Sequence, residues 1–267
     1  MGSEPEKDRS KKLLSLLKPA KERGIEIKEK RAIITGVFSC KGGVGKTTTL
    51  ANLALCAAQI FKGNVLAIDA NLSAPNLGLH FGELDPKVTI HDALAGQIPV
   101  EKTIMDYHGL DLILGSIAFG EEVHLVDLKG LLEPLRSKYR LILIDSAPGI
   151  GAEVISAMKI CDEIIIVTNP EIPTVASTLK TFRAAERYKI PILGVVVNKV
   201  RNEPFELTIK DVKKALGWPI IAVVPEDIKV REATAAGIPV VSYHPKSPAA
   251  VEFKRLGDFI TKHVLKS

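Results

Sequence analysis

A six-residue apolar run, Ile33 to Phe38, leads into Cys40-Lys41-Gly42-Gly43-Val44-Gly45-Lys46-Thr47-Thr48-Thr49 and then directly into Leu50-Ala51-Asn52-Leu53-Ala54-Leu55, which has the composition of a helix. The order of buried strand, glycine loop and helix restricts the fold more than any other feature of the 267 residues. Glycines let backbone N–H groups curl around a polyphosphate without Cβ clashes, and the helix N-terminus adds partial positive charge. In such a loop Lys46 reaches the terminal phosphates and Thr47 offers its hydroxyl to magnesium. The spacing therefore predicts a nucleotide site at Lys41 to Thr48, with ATP and Mg2+ as cofactors.

Further apolar runs of strand length recur at Val65 to Ile68, Leu110 to Leu114, Leu141 to Ile144, Ile164 to Val167, Ile192 to Val197 and Ile220 to Val224. Between many of them lie stretches with helical spacing, such as Thr47 to Phe61, Val126 to Lys138 and Val175 to Tyr188. This alternation predicts an α/β fold with a mostly parallel twisted sheet and helices on both faces. Pro134 falls inside the second of these helices and is expected to kink or shorten it. Turns are expected at Gly63-Asn64, Ala147-Pro148-Gly149, Asn169-Pro170 and Gly217-Trp218-Pro219. A last helix is expected from Ser247-Pro248, with Phe253, Leu256, Ile260 and Val264 on a core-facing stripe.

Two of the strands end in a carboxylate, Asp69 after Val65 to Ile68 and Asp145 after Leu141 to Ile144. Ligands bind outside the C-terminal edges of parallel strands, which is also where the glycine loop opens. Thr47, Asp69 and Asp145 are thus the candidate magnesium set, Asp145 acting through water.

The tract Lys41 to Thr48, with Lys41 two residues before Gly43, together with Asp69-Ala70-Asn71, resembles the MinD/ParA family with the deviant Walker A motif. Asn76-Leu77-Gly78-Leu79, Val167-Thr168-Asn169-Pro170-Glu171, Val197-Asn198-Lys199-Val200, Val224-Pro225-Glu226-Asp227 and Lys246-Ser247-Pro248-Ala249 look like archaeal MinD-type proteins. The resemblance covers about residues 32 to 265. It implies a P-loop ATPase that dimerises with ATP, releases its target after hydrolysis and serves in spatial organisation. It also implies that Lys41 contacts phosphate across the dimer, that Gly149 is a switch glycine near the γ-phosphate, and that Asn198 with the segment around Pro225 and Asp227 lines the adenine pocket. Lys41, Lys46, Asp69 and position 71 form the expected catalytic set. The family pattern carries Asp-x-Asp where this chain has Asp69-Ala70-Asn71. An amide accepts a hydrogen bond from water but takes no proton, so turnover is expected to be slow or dependent on a partner. Two alternatives stand beside the switch: an ATP-binding scaffold that hardly hydrolyses, which Asn71 favours, and a ParA-like DNA segregation ATPase.

Residues 1 to 31 hold ten Lys or Arg against six Asp or Glu, so most of the net charge of +5 lies in this segment. The remaining +1 gives little support to nucleic-acid binding. Residues 1–31 are expected to form an extension and residues 32–267 the ATPase domain. Within the extension, residues 9–21 set Leu13, Leu14, Leu16 and Leu17 beside five basic residues with no acidic neighbour. Such a short amphipathic helix suits a membrane surface or a protein partner's groove, the alternative being a solvated tail. The resemblance places the family's membrane helix beyond the last core helix, where the chain stops at Ser267, and residues 9–21 are one candidate substitute, beside a protein-partner helix and an inert tail. Cys40, Cys56 and Cys161 are far apart and odd in number, which fits a reducing compartment and no disulfide framework. No apolar run reaches the roughly 20 residues that span a bilayer, and a signal peptide is not apparent. A cytoplasmic protein is expected, peripheral at the inner face of the membrane if residues 9–21 act as an anchor.

Overall fold

The computed structural model describes residues 31–117 and 128–267. The amphipathic segment 9–21 lies outside them. Eight strands form one sheet: β1 (Ile33–Phe38), β2 (Val65–Ala70), β3 (Met105–Tyr107), β4 (Leu110–Ile113), β5 (Leu141–Ser146), β6 (Glu163–Thr168), β7 (Ile192–Val200) and β8 (Ile220–Pro225). Their order is β3-β4-β2-β5-β1-β6-β7-β8. Every pairing is parallel except β3 with β4, an antiparallel hairpin at one edge. Both residues of its turn, His108 and Gly109, have positive φ, 52° and 84°. That is the mirror-image turn whose twist matches paired strands.

The strands are buried on both faces, which is why they read as continuous apolar runs. Along β2, Leu66 and Ile68 face one core layer and Val65 and Ala67 the other. The first layer is completed by α4 (Ala152–Lys159), α5 (Ile172–Tyr188) and α6 (Ile209–Leu216), packed against it through residues such as Val154, Phe182 and Val212. On the opposite face lie α1 (Lys46–Phe61), α7 (Ile228–Ala235), α8 (Val240–Tyr243) and α9 (Pro248–Lys266). Two short helices, α2 (Ile90–Leu94) and α3 (Leu128–Leu132), belong to the first layer.

The expected C-terminal helix is present, and the Ser247 side chain accepts the Ala250 N–H at 3.3 Å. Phe253, Leu256, Ile260 and Val264 are all buried, so the stripe is core packing. Gly257 allows α9 to approach α1, since a Cβ there would lie 2.6 Å from Cys56 Cβ. The helix expected around Pro134 is shortened there. In place of Val126 to Lys138, the described residues show α3 ending at Leu132 and a 3-10 turn over Glu133–Leu135. Pro134 has no N–H to continue an α-helical ladder, and the chain tightens there instead. Among the described residues no helix is long and apolar enough to cross a membrane.

Candidate functional site

The glycine loop follows β1 at the sheet centre, flanked by the ends of β5 and, one strand farther, β2. Register sets Asp69 of β2 directly beside Asp145 of β5, and Asp145 beside Val37 of β1. The two carboxylates and the loop therefore meet because of strand order and register alone.

Gly43 and Gly45 have φ of 77° and 91°, a region that side chains rarely enter. Gly45 closes the N-terminus of α1, its carbonyl accepting the Thr49 N–H at 2.9 Å. A Cβ on Gly45 would lie 2.1 Å from Asn198 Nδ2, which itself donates to the Val44 carbonyl at 2.8 Å. Asn198 at the end of β7 thus props the loop from behind. Lys199, also at positive φ, adds a second prop by donating from Nζ to the Gly43 carbonyl at 2.7 Å. Nothing lies within 4 Å of a Cβ built on Gly43, so the outer curve of the loop stays open.

Asp145 is fully buried and accepts from both loop side chains: Lys46 Nζ at 3.0 Å on one oxygen and Thr47 Oγ1 at 2.7 Å on the other. An unpaired carboxylate at this depth would be strongly disfavoured, and the cation and hydroxyl together satisfy it. Asp69, also fully buried, binds the backbone of its own loop. Its oxygens accept the N–H groups of Asn71 at 3.1 Å, Asn76 at 2.9 Å and Leu77 at 2.8 Å. Burial, and then repulsion from Asp145, push the Asp69 carboxyl up to about 7 against the lowering effect of those three amides. Asp69 shapes the 71–77 loop, and neither aspartate is part of the cleft lining.

The cleft over the loop holds about 640 Å³ and is walled by the glycine loop from Lys41 to Thr48, Val44 excepted, by Asn71 and Asn76, by Pro148, and by α7 through Arg231 and Thr234. Its size lies within the roughly 300–1,000 Å³ usual for small-molecule sites. Lys41 is exposed at the rim, while Lys46 and Thr47 are buried at the floor. Asn71 is buried, its amide donates to the Ala74 carbonyl, and its Oδ1 has no partner in the fold. A buried acceptor left without a donor, on a residue that also lines the cleft, is a polar group the fold itself does not satisfy. The donor set of glycine amides, Lys46, Thr47 and the buried carboxylate behind them fits a polyphosphate with a hard divalent cation.

The other expected residues are placed as follows. Gly149, φ 97°, lies in the loop after β5 and donates its N–H to the Ser39 carbonyl at 3.0 Å. Pro225 ends β8 outside the lining. Asp227 ties two helix starts together, accepting Lys229 N–H of α7 at 2.9 Å and Ala249 N–H of α9 at 3.2 Å. On this side Arg231 and Thr234 line the cleft.

His80 lines the cleft without having been marked by any motif. Burial holds its imidazole below the ordinary histidine range; Asp145 raises it and Lys46 lowers it. The one hint in the sequence is a histidine interrupting the apolar run Leu77 to Phe81.

Residues 36–240, which include every residue lining this cleft, match the model of the CobQ/CobB/MinD/ParA nucleotide binding domain. The chain belongs to this family. An uncharacterized ATP-binding protein of Methanocaldococcus jannaschii is 37% identical over 224 residues, 82% of this chain and 84% of that protein. The crystal structure of the cell division ATPase MinD of Pyrococcus furiosus superimposes with a TM-score of 0.81 at 35% identity, covering 87% of this chain and 99% of that one. The septum site-determining protein MinD of Pyrococcus horikoshii, solved as a complex with Mg-ADP, gives a TM-score of 0.82 at 33% identity over 88% and 99%. The fold is accordingly that of MinD/ParA P-loop nucleotidases.

Proposed function

We propose that this chain is a MinD-like molecular switch that binds Mg-ATP in the cleft over the glycine loop, dimerises across it and hydrolyses ATP slowly or with a partner's help. The observation that carries the reading is the buried set Lys46, Thr47 and Asp145 beneath two positive-φ glycines, with Lys41 exposed at the rim. The Mg-ADP complex of the Pyrococcus horikoshii relative supports the same cofactor here.

Magnesium would supply positive charge to the β- and γ-phosphates, held by Thr47 with Asp145 behind it, through water. Loop amides from Gly42 to Thr48 cradle the phosphates, and Lys46 turns from Asp145 toward them. Before nucleotide enters, the buried Asp145 carboxylate holds Lys46 at the floor of the cleft. The Asn71 carboxamide oxygen accepts a hydrogen bond from water and fixes its orientation but takes no proton, which makes the step slow. Asp69 acts one layer back by holding the 71–77 loop that carries Asn71. In this reading Gly149 senses the γ-phosphate and Asn198 supports the base side of the cleft.

Dimerisation is supported by the same sheet edge. Lys41 projects there, and Ile150, Ile172 and Phe205, in the loops or helix starts after β5, β6 and β7, are 45%, 63% and 69% exposed. Apolar side chains in the segments after three successive strand ends suit a second copy. Light scattering of the full chain should give twice the mass with Mg-ATP that it gives with Mg-ADP. Equal masses in both states would refute the switch. Because the Asn71 amide takes no proton, a second reading is a scaffold that binds ATP and hardly turns it over; single-turnover phosphate release separates the two. The cellular role we assign is the positioning of a structure, through a protein partner and, for residues 9–21, contact with a membrane surface.

A further inference from the structure

The loop after β2 and the loop after β5 both border the cleft, and one side chain joins them. Glu153, in the first turn of α4, reaches across to the 71–77 loop and accepts the N–H groups of Leu72 and of Ser73, the latter at 3.2 Å, on one oxygen. Its other oxygen accepts the Ser73 hydroxyl at 3.0 Å. A carboxylate taking three donors from two consecutive residues is a rigid clamp, since hydrogen bonds to a charged acceptor are about twice as strong as neutral ones.

Each end of this clamp is attached to the cleft. On one side, Leu72 is next to Asn71, whose own N–H is fixed by Asp69 and which lines the cleft. On the other, Gly151 caps α4 two residues before Glu153, and Gly149 stands two residues before that cap. Gly149 donates its N–H to the Ser39 carbonyl, and Ser39 Oγ donates to the carbonyl of Lys41 in the phosphate loop. Pro148, next to Gly149, lines the cleft, so a nucleotide seated there meets the turn that the Gly149–Ser39 bond holds. A ligand that displaces Pro148 shifts the 149–151 turn. Because Glu153 sits in the first turn of the helix that follows, the clamp carries that shift to Leu72 and Ser73.

We infer that Glu153 is a positioning residue that couples the β5 loop to the β2 loop, so that the position of the turn after Pro148 sets the placement of Asn71. The inference rests on the nucleotide reading of the cleft. Glu153 touches no substrate; it acts through the backbone of Leu72 and Ser73. Asp69 fixes residues 71, 76 and 77 from below, and the N–H groups of residues 72 and 73 are left to Glu153, the Leu72 carbonyl being held separately by His91 Nε2 at 2.9 Å.

The test is amide hydrogen exchange on the full chain with Mg-ATP and with Mg-ADP, for the wild type, Glu153→Ala and Glu153→Gln. In the wild type, peptides covering residues 72–73 should exchange differently in the two nucleotides. In Glu153→Ala they should exchange fast and alike in both, while Mg-ATP still protects residues 42–48. Glu153→Gln keeps one acceptor for the two amides and should fall between. In parallel, kcat for ATP should drop on the order of tenfold to a hundredfold in Glu153→Ala, as for other small misplacements of a reacting group, with KM nearly unchanged. The exchange readout needs no turnover, so it holds for a slow enzyme as well. Nucleotide-dependent exchange at 72–73 that persists in both variants would overturn the coupling alone. Failure of Mg-ATP to protect residues 42–48 in the wild type would overturn the nucleotide reading and the coupling with it.

Discussion

Replacing Gly45 with Ala should injure the protein in a way that Gly43→Ala does not, although both glycines have positive φ, 91° and 77°. A side chain forced into the left-handed region costs roughly 1–2 kcal/mol at either position. At Gly43 nothing lies within 4 Å of the added Cβ, so that is the whole effect. At Gly45 the Cβ would stand 2.1 Å from Asn198 Nδ2, and the asparagine must leave. Its 2.8 Å bond to the Val44 carbonyl is then broken at a residue only 3% exposed. A buried polar group left unpaired adds about 1–3 kcal/mol, bringing Gly45→Ala to about 2–5 kcal/mol in all. Against a total stability of roughly 5–15 kcal/mol the variant still folds. Urea unfolding followed by circular dichroism measures both variants, and adding Asn198→Ala tests the cause. With the amide gone the clash disappears, so the double variant should lose less than the sum of the two single losses. Equal losses for Gly43→Ala and Gly45→Ala, or strict additivity with Asn198→Ala, would refute the idea that Asn198 props the loop.

Two further outcomes follow from the same geometry. Asn71→Asp should raise the hydrolysis rate in a phosphate-release assay, because it adds a proton acceptor where the buried carboxamide now offers only a hydrogen-bond acceptor; an unchanged rate would assign that deficit to another residue. Burial pushes the Cys56 thiol up to about 11 and the Cys161 thiol higher still, whereas Cys40 is half-exposed beside the loop. Folded protein at pH 8 should show one fast-reacting thiol of three, slowed by Mg-ATP, and two or more fast thiols would contradict this burial.

The parts of the fold that were legible in the sequence are those where burial on both faces erases polar residues. Seven of the eight strands were visible as apolar runs, and α1 and α9 by their spacing and, for α9, the Ser247 cap. β3 was not, because it is three residues long at a sheet edge and its turn uses His108-Gly109 instead of the commoner Asn-Gly or Asp-Gly. The loop and both aspartates were readable because strand ends and glycines fix their positions. What Asp69 does was not, since its three partners are backbone amides and carry no side-chain signature. Glu153 and Lys199 were hidden for a similar reason: each acts on backbone atoms 80 or more residues away. Asp227 reads as part of a motif, yet its oxygens are both taken by helix N-termini.

The central claim is that the loop from Lys41 to Thr48 binds Mg-ATP, with Lys46 as its cation. Titration calorimetry of the full chain, wild type beside Lys46→Ala, tests it directly. A melting curve of the variant is run in parallel, because removing Lys46 leaves Asp145 buried without its cation and can destabilise the fold by about 3–5 kcal/mol. The wild type should bind one nucleotide per chain saturably, and folded Lys46→Ala none that is measurable. No binding by the wild type, or the same affinity in a folded Lys46→Ala variant, would contradict it.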